Sequence, residues 1–149
     1  MSKLTAGFQS YGEDLVTVTT SASVAIKALD LDGTDDFVLV GDHATLDITS
    51  NLSISAWVNC DSQTGNAAIV TKYNSSVGQR SFFLATNTLL PRKLRFAISD
   101  DGTSAAGHLL DWRTNNDVLP ASGWAHVAFT FASGTPKLYV DAVEITSFN

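Results

Sequence analysis

The chain has 149 residues, 44% of them apolar and only 16% charged, the composition of a folded domain rather than a disordered segment. Its net charge of −6 repels phosphate backbones and anionic lipid surfaces, which argues against nucleic acid and membrane partners. Cys60 is the single cysteine, so an internal disulfide and a zinc-finger spacing are both ruled out.

Residues 1–27 are polar, rich in Ser and Thr and loosely patterned. They read as an N-terminal arm, with the alternating "LVTVTT" at 15–20 as an edge strand. The opening stretch shows no apolar core of a secretory signal, and no run approaches the ~18 apolar residues of a membrane-spanning helix. "ALDL" (28–31) and "DFVLV" (36–40) flank Gly33 and predict a first hairpin. Leu29 and Leu31 would anchor it in the core, and Asp30 and Asp32 would face solvent. "GDHATLDI" (41–48) predicts one short helical turn. "LSISAWV" (52–58), "AAIVTKY" (67–73), "SFFLAT" (81–86) and "KLRFAIS" (93–99) predict strands, as do "WAHVAFTFA" (124–132) and "KLYVD" (137–141). Gly, Asn, Ser and Asp clusters between them supply the turns.

Alternation separates two faces. Leu94, Phe96 and Ile98 share a side, and so do Ala125, Val127, Phe129 and Phe131, which defines a core face. Trp57, Trp124, His126 and Tyr139 fall on a mixed opposite face. Pattern alone leaves open whether that face is covered or bare; packing in a secondary cluster is the favoured reading.

Candidate sites are few. Asp30 and Asp32 share a strand face roughly 7 Å apart, a separation found in carboxylate pairs that cleave glycosides. They lie beside a tight turn in water, without the desolvation that a general acid needs. No Gly-x-Ser-x-Gly elbow exists, and His43, His108 and His126 lack motif partners. An EF-hand counted from Asp30 fails, with Gly33 at its fourth position and Gly41 at its twelfth. Hard oxygens for a rim cation are supplied by Asp100, Asp101 and Asp117, although turns in which these side chains bond their own backbone are the simpler account. The richest loop is "HLLDWRTNND". There Trp112 offers a stacking platform and Arg113, Asn115 and Asn116 offer planar donors, with Tyr139 as a further candidate; the competing reading packs Trp112 under its own loop.

"LDLDGTDDFVLV", "LSISAWVNCD" and "GWAHVAFTFASGTPKLYVDAVEI", in that order and spacing, resemble the laminin-G-like jelly-roll domains of the concanavalin A-like lectin/glucanase superfamily, over about residues 28–145. The resemblance implies an all-β, two-sheet antiparallel jelly-roll sandwich over 28–149, preceded by the arm at 1–27. It implies a module that binds sugars or proteins without chemistry, in some members with a structural Ca²⁺ at the rim. Glycosidases of the superfamily use closely spaced glutamates on one strand, whereas this chain has only Glu13 and Glu144. Three departures stand out. Asp141-Ala142 replaces the family's Asp-Gly turn, residues 1–27 have no counterpart, and the chain ends at Asn149 where members continue with sheet-closing strands.

These features predict a non-catalytic module whose arm and open sheet edge contact other subunits of an oligomer or assembly. The expected setting is a virion, as a bacteriophage-type decoration, head-fibre or tail component made in the cytoplasm without a signal peptide, or an extracellular surface. The alternative is a carbohydrate-binding, Ca²⁺-dependent adhesion module of a larger secreted protein. A glycoside hydrolase is the remote third reading.

Overall fold

Strict side-chain alternation explains the architecture. In β8 (Trp124–Ala132), Ala125, Val127, Phe129 and Phe131 are buried while His126, Ala128 and Thr130 are half-buried and Trp124 is exposed. It pairs antiparallel with β3 (Leu52–Cys60), from Leu52 opposite Phe131 to Asn59 opposite Trp124. Ile54, Ala56 and Val58 therefore share the inner face of β8.

The structure, a computed structural model, describes residues 4–7, 28–60, 67–87 and 90–149. The expected strand at 15–20 lies outside the described residues. Among those described, the other strands are β1 (Leu4–Gly7), β2 (Leu29–Leu31), β4 (Ala68–Asn74), β5 (Gln79–Asn87), β6 (Leu90–Ser99), β7 (Leu109–Arg113), β9 (Thr135–Val140) and β10 (Val143–Ile145). They form an antiparallel six-stranded sheet, β10-β9-β8-β3-β1-β2, and a four-stranded sheet, β4-β5-β6-β7. This is the all-β jelly-roll sandwich that the sequence predicts. The helical turn expected within 41–48 is a 3₁₀ turn, Ala44–Leu46, whose Thr45 N–H donates to His43 Nδ1.

The core is aromatic where the sheets meet. Phe96 of β6 and Phe129 of β8 are both fully buried, with ring centroids 4.7 Å apart. Trp112 of β7 stacks on Phe96 at 5.5 Å, and Phe148 meets the same ring edge-on at 5.4 Å. Leu84, Leu94, Val127 and Leu138 complete the dry interior. Each such side chain contributes about 1.5–3 kcal/mol when removed from water.

Three expectations are corrected. The run Phe37–Val40 is not a strand, and its side chains are 59–80% exposed. The β2 strand pairs with β1 instead, with Leu31 opposite Leu4. The Gly33 turn closes locally: Thr34 N–H donates to Asp32 Oδ1 (2.7 Å) and Asp32 N–H donates to Asp36 Oδ2 (3.0 Å). These bonds satisfy the turn without any pairing by the following segment. Leu29, at 40% exposure, is no core anchor. Conversely, the loop reading of "HLLDWRTNND" gives way to β7, which pairs with β6 from Arg95–Arg113 to Ser99–Leu109.

The chain end ties the two sheets together. After β10, the tail crosses to the free edge of β7, where Thr114 and Phe148 form an antiparallel bridge. Arg113 N–H donates to Asn149 O (2.9 Å), and Asn149 N–H donates back to Arg113 O (3.1 Å). The β9–β10 turn places Asp141 at φ 49° and Ala142 at φ 65°, the left-handed pair of a type I′ turn. Asp141 is fixed to β8 from both sides, its N–H donating to His126 O and its Oδ1 accepting from His126 N–H, each at 2.8 Å.

Two stability outcomes follow. Ala142→Gly relieves the Cβ strain of a left-handed residue and is expected to raise stability by about 1 kcal/mol, read as a higher urea midpoint at unchanged slope. Phe96→Ala empties the centre of the stack and is expected to cost about 3–5 kcal/mol in the same assay.

Candidate functional site

The expected ligand loop does not converge. On β7, alternation sends Trp112 inward, where it lies against Phe96, Phe129 and Phe131. Its ring faces are committed to the core, which corrects the stacking-platform reading. Arg113 is exposed and reaches Asp111 at 3.4 Å. Asn115 Nδ2 donates to Ser147 Oγ (3.2 Å), and its carbonyl accepts from Lys93 Nζ (2.5 Å). Asn116 is exposed beside it. Tyr139 is on the other sheet, opposite Ala128. One cross-sheet set therefore does not form.

The expected cation group is also rearranged. Asp117 pairs with Arg92 and stands apart from Asp100 and Asp101. In its place comes His108, whose Nδ1 lies 2.8 Å from Asp100 Oδ1 and 3.3 Å from Asp101 Oδ2. Asp101 is simultaneously a turn cap, its Oδ1 accepting from Thr103 N–H and Thr103 Oγ1, each at 2.8 Å. Gly102 is required here: φ is 82°, and an added Cβ would meet Gly78 O at 2.5 Å. The group borders a cleft of about 330 Å³ lined by Asp42, Asp47, Arg80 and Ser81 as well. Lys72 Nζ spans Asp42 and Asp47 across from it. Calcium takes roughly six to eight oxygen ligands, of which Asp100 and Asp101 supply carboxylates beside the His108 imidazole nitrogen. His108 was not found from sequence because it carries no motif and meets Asp100 across eight positions of loop.

The outer faces of the two sheets differ. On the four-stranded sheet, Arg95 clamps Asp111 through Nε–Oδ1 (3.0 Å) and Nη2–Oδ2 (2.6 Å), and its guanidinium lies over Phe83 at 4.9 Å. Tyr73 meets Phe83 edge-on at 5.1 Å, and Ala85 and Ala97 are buried beneath these groups. That face is closed by its own side chains. Three neighbouring basic residues are engaged within the chain as well: Arg92 pairs with Asp117, Lys93 donates to the Asn115 carbonyl and Arg95 pairs with Asp111. On the six-stranded sheet, Trp57 is 48% and Trp124 42% exposed. Trp57 leans on His126 with centroids 5.3 Å apart. Among the described residues nothing further covers this face.

The Asp100 hydrogen bond, with the charge of Asp101 adding to it, raises the affinity of His108 for its proton above the ordinary value of 6.5. The Thr103 backbone N–H holds the Asp101 carboxyl below its ordinary 3.8. The imidazolium pairing is thus complete below pH 6.5 and is lost as pH rises through the raised folded value; the Asp101 contribution is present above 3.8 and is lost as pH falls through the lowered one. An NMR titration is expected to place His108 above 6.5, and Asp100→Asn to return it towards that value.

A family model for a laminin-G-like domain, described as Concanavalin A-like lectin/glucanases superfamily, matches residues 32–149. No curated protein and no solved structure gives a significant match. Sandwich, strand order and family model agree: the chain belongs to the concanavalin A-like lectin/glucanase superfamily through a laminin-G-like domain at residues 32–149.

Proposed function

We propose that the protein is a binding and structural module that performs no chemistry and contacts other protein subunits of an assembly, as a virion decoration, head-fibre or tail component does. The carrying observation is the run Phe37–Val40. Four consecutive apolar side chains stand 59–80% exposed beside the edge strand β2, with no charge among them. Each would contribute about 1.5–3 kcal/mol on burial, and a run of this kind that none of the described residues covers invites association. A subunit that covers it would meet Asp35, Asp36 and Asp42 at its margin, so a basic rim around an apolar patch is the complementary surface. On this reading the protein works on a virion or another extracellular surface after synthesis in the cytoplasm. A second reading, a carbohydrate-binding adhesion module of a larger secreted protein, draws support from the half-exposed indoles of Trp57 and Trp124.

The test is hydrodynamic. The full chain is expected to sediment as a defined oligomer, and Phe37→Asp with Leu39→Asp to reduce it to monomers of unchanged unfolding midpoint. A chain that is monomeric at every concentration, or a double variant that still associates, would sink the assembly reading.

A further inference from the structure

We propose that β1 is a donated strand: the segment Leu4–Gly7 is exchanged reciprocally between two copies of this chain, each sandwich receiving the strand of the other. This rests on the assembly reading and names its partner, a second copy. The place that β1 fills is an addition to the domain. The family model begins at residue 32, so β1 and β2 precede the laminin-G-like match, and without them β3 is an edge of its sheet. β1 docks on that edge through four register pairs, from Leu4 opposite Cys60 to Gly7 opposite Trp57. Through three more it holds β2, which has no other strand partner among the described residues. Strand addition of this kind is built on main-chain hydrogen bonds, so the β1 of another copy fits the slot as well as the chain's own.

Chain length permits either copy. Ordinary hairpins join adjacent antiparallel strands with about two to five residues, whereas residues 8–28 stand between β1 and β2. A chain of that length reaches at most roughly 70 Å, against a radius of gyration of about 14 Å for a sandwich of this size, so it passes from one sandwich to a neighbour. The contacts of β1 with β3 and β2 are the same in the closed chain and in the exchanged pair, so they do not choose between the two. The Phe37–Val40 run makes the choice. In the closed chain none of the described residues covers it. In the exchanged pair the donor's sandwich is tethered at β1, next to β2, and buries the run that follows β2 and the Gly33 turn. Charge fits the same arrangement. Lys3 directly precedes β1 in the sequence, and Leu4 is paired with Leu31, where β2 leads into Asp32, Asp35 and Asp36. The arm and the acidic turn that receives it are thus complementary.

The experiment reads which copy's β1 lies beside Cys60. Leu4 and Cys60 are register partners, and antiparallel partners have Cα atoms about 4.5–5.5 Å apart, within the span of a disulfide. The full chain carrying Leu4→Cys is oxidised with copper phenanthroline, run on a non-reducing gel, and digested for mass spectrometry of the linked peptides. The expected result is a shift of the main band to twice the chain mass, reversed by reductant, with the bond joining position 4 of one copy to Cys60 of the other. Mass spectrometry separates that bond from chance links between like positions. Thr5→Cys/Asn59→Cys in a Cys60→Ser background repeats the test at the neighbouring register pair and covers a folding defect in the first variant. The proposal is overturned if the bond forms within single chains, or if neither variant forms it in any species. Its failure is separable from that of the assembly reading. A chain that sediments as an oligomer yet closes the bond within single chains keeps the assembly and loses the exchange, whereas a chain that is monomeric by both measures loses both.

Discussion

Phe96 on one sheet and Phe129 on the other, 4.7 Å apart and fully buried, hold the sandwich together. Trp112, Phe131 and Phe148 gather around this contact, so β7, β8 and the chain end all close on one aromatic centre. The consequence is register. Slipping β6 by one residue would turn Arg95 and Ala97 inward in place of Phe96, and slipping β8 would bury His126 and Thr130 in place of Phe129. The same contact that stabilises the fold thereby dictates which side chains reach solvent.

The two outer faces use that constraint differently. On the four-stranded sheet the outward residues satisfy one another: Arg95 is held by both oxygens of Asp111 and lies over Phe83. A bidentate, half-buried pair leaves little donor capacity for a ligand. On the six-stranded sheet the outward residues are aromatic and small polar, and the rings of Trp57 and Trp124 remain half in water. Among the described residues, exposed aromatic surface is therefore concentrated on one side of the sandwich, and the Phe37–Val40 run provides a chemically different surface beside β2.

The edges show how the chain manages unpaired backbone. Residues 4–7 supply β1 between β3 and β2, while the tail after β10 lies along β7. Backbone donors and acceptors on the edges of β3 and β7 are thus satisfied by segments far away in the chain. At the loop rim, Asp101 caps its turn and, with Asp100, holds His108, so these carboxylates serve the β6–β7 connection.

From the sequence by itself, alternation was sufficient for the all-β class and the inner face of β3, β6 and β8; the Asp residues around Gly33 marked the turn, and three motifs in their order and spacing carried the family resemblance. Period two is a local property, and a strand with a buried face must display it. Tertiary structure alone decided the rest. "DFVLV" has strand composition but no partner among the described residues, because pairing depends on a distant segment. Trp112 is flanked by Asp111 and Arg113, a pattern that suits an exposed loop as well as a strand, and only the pocket formed by Phe96, Phe129 and Phe131 drew it inward. His108 joined Asp100 and Asp101 through loop closure. The face bearing Trp57 and Trp124 is equally mixed in sequence whether covered or bare; its exposure depends on what packs above it, and no local pattern encodes that.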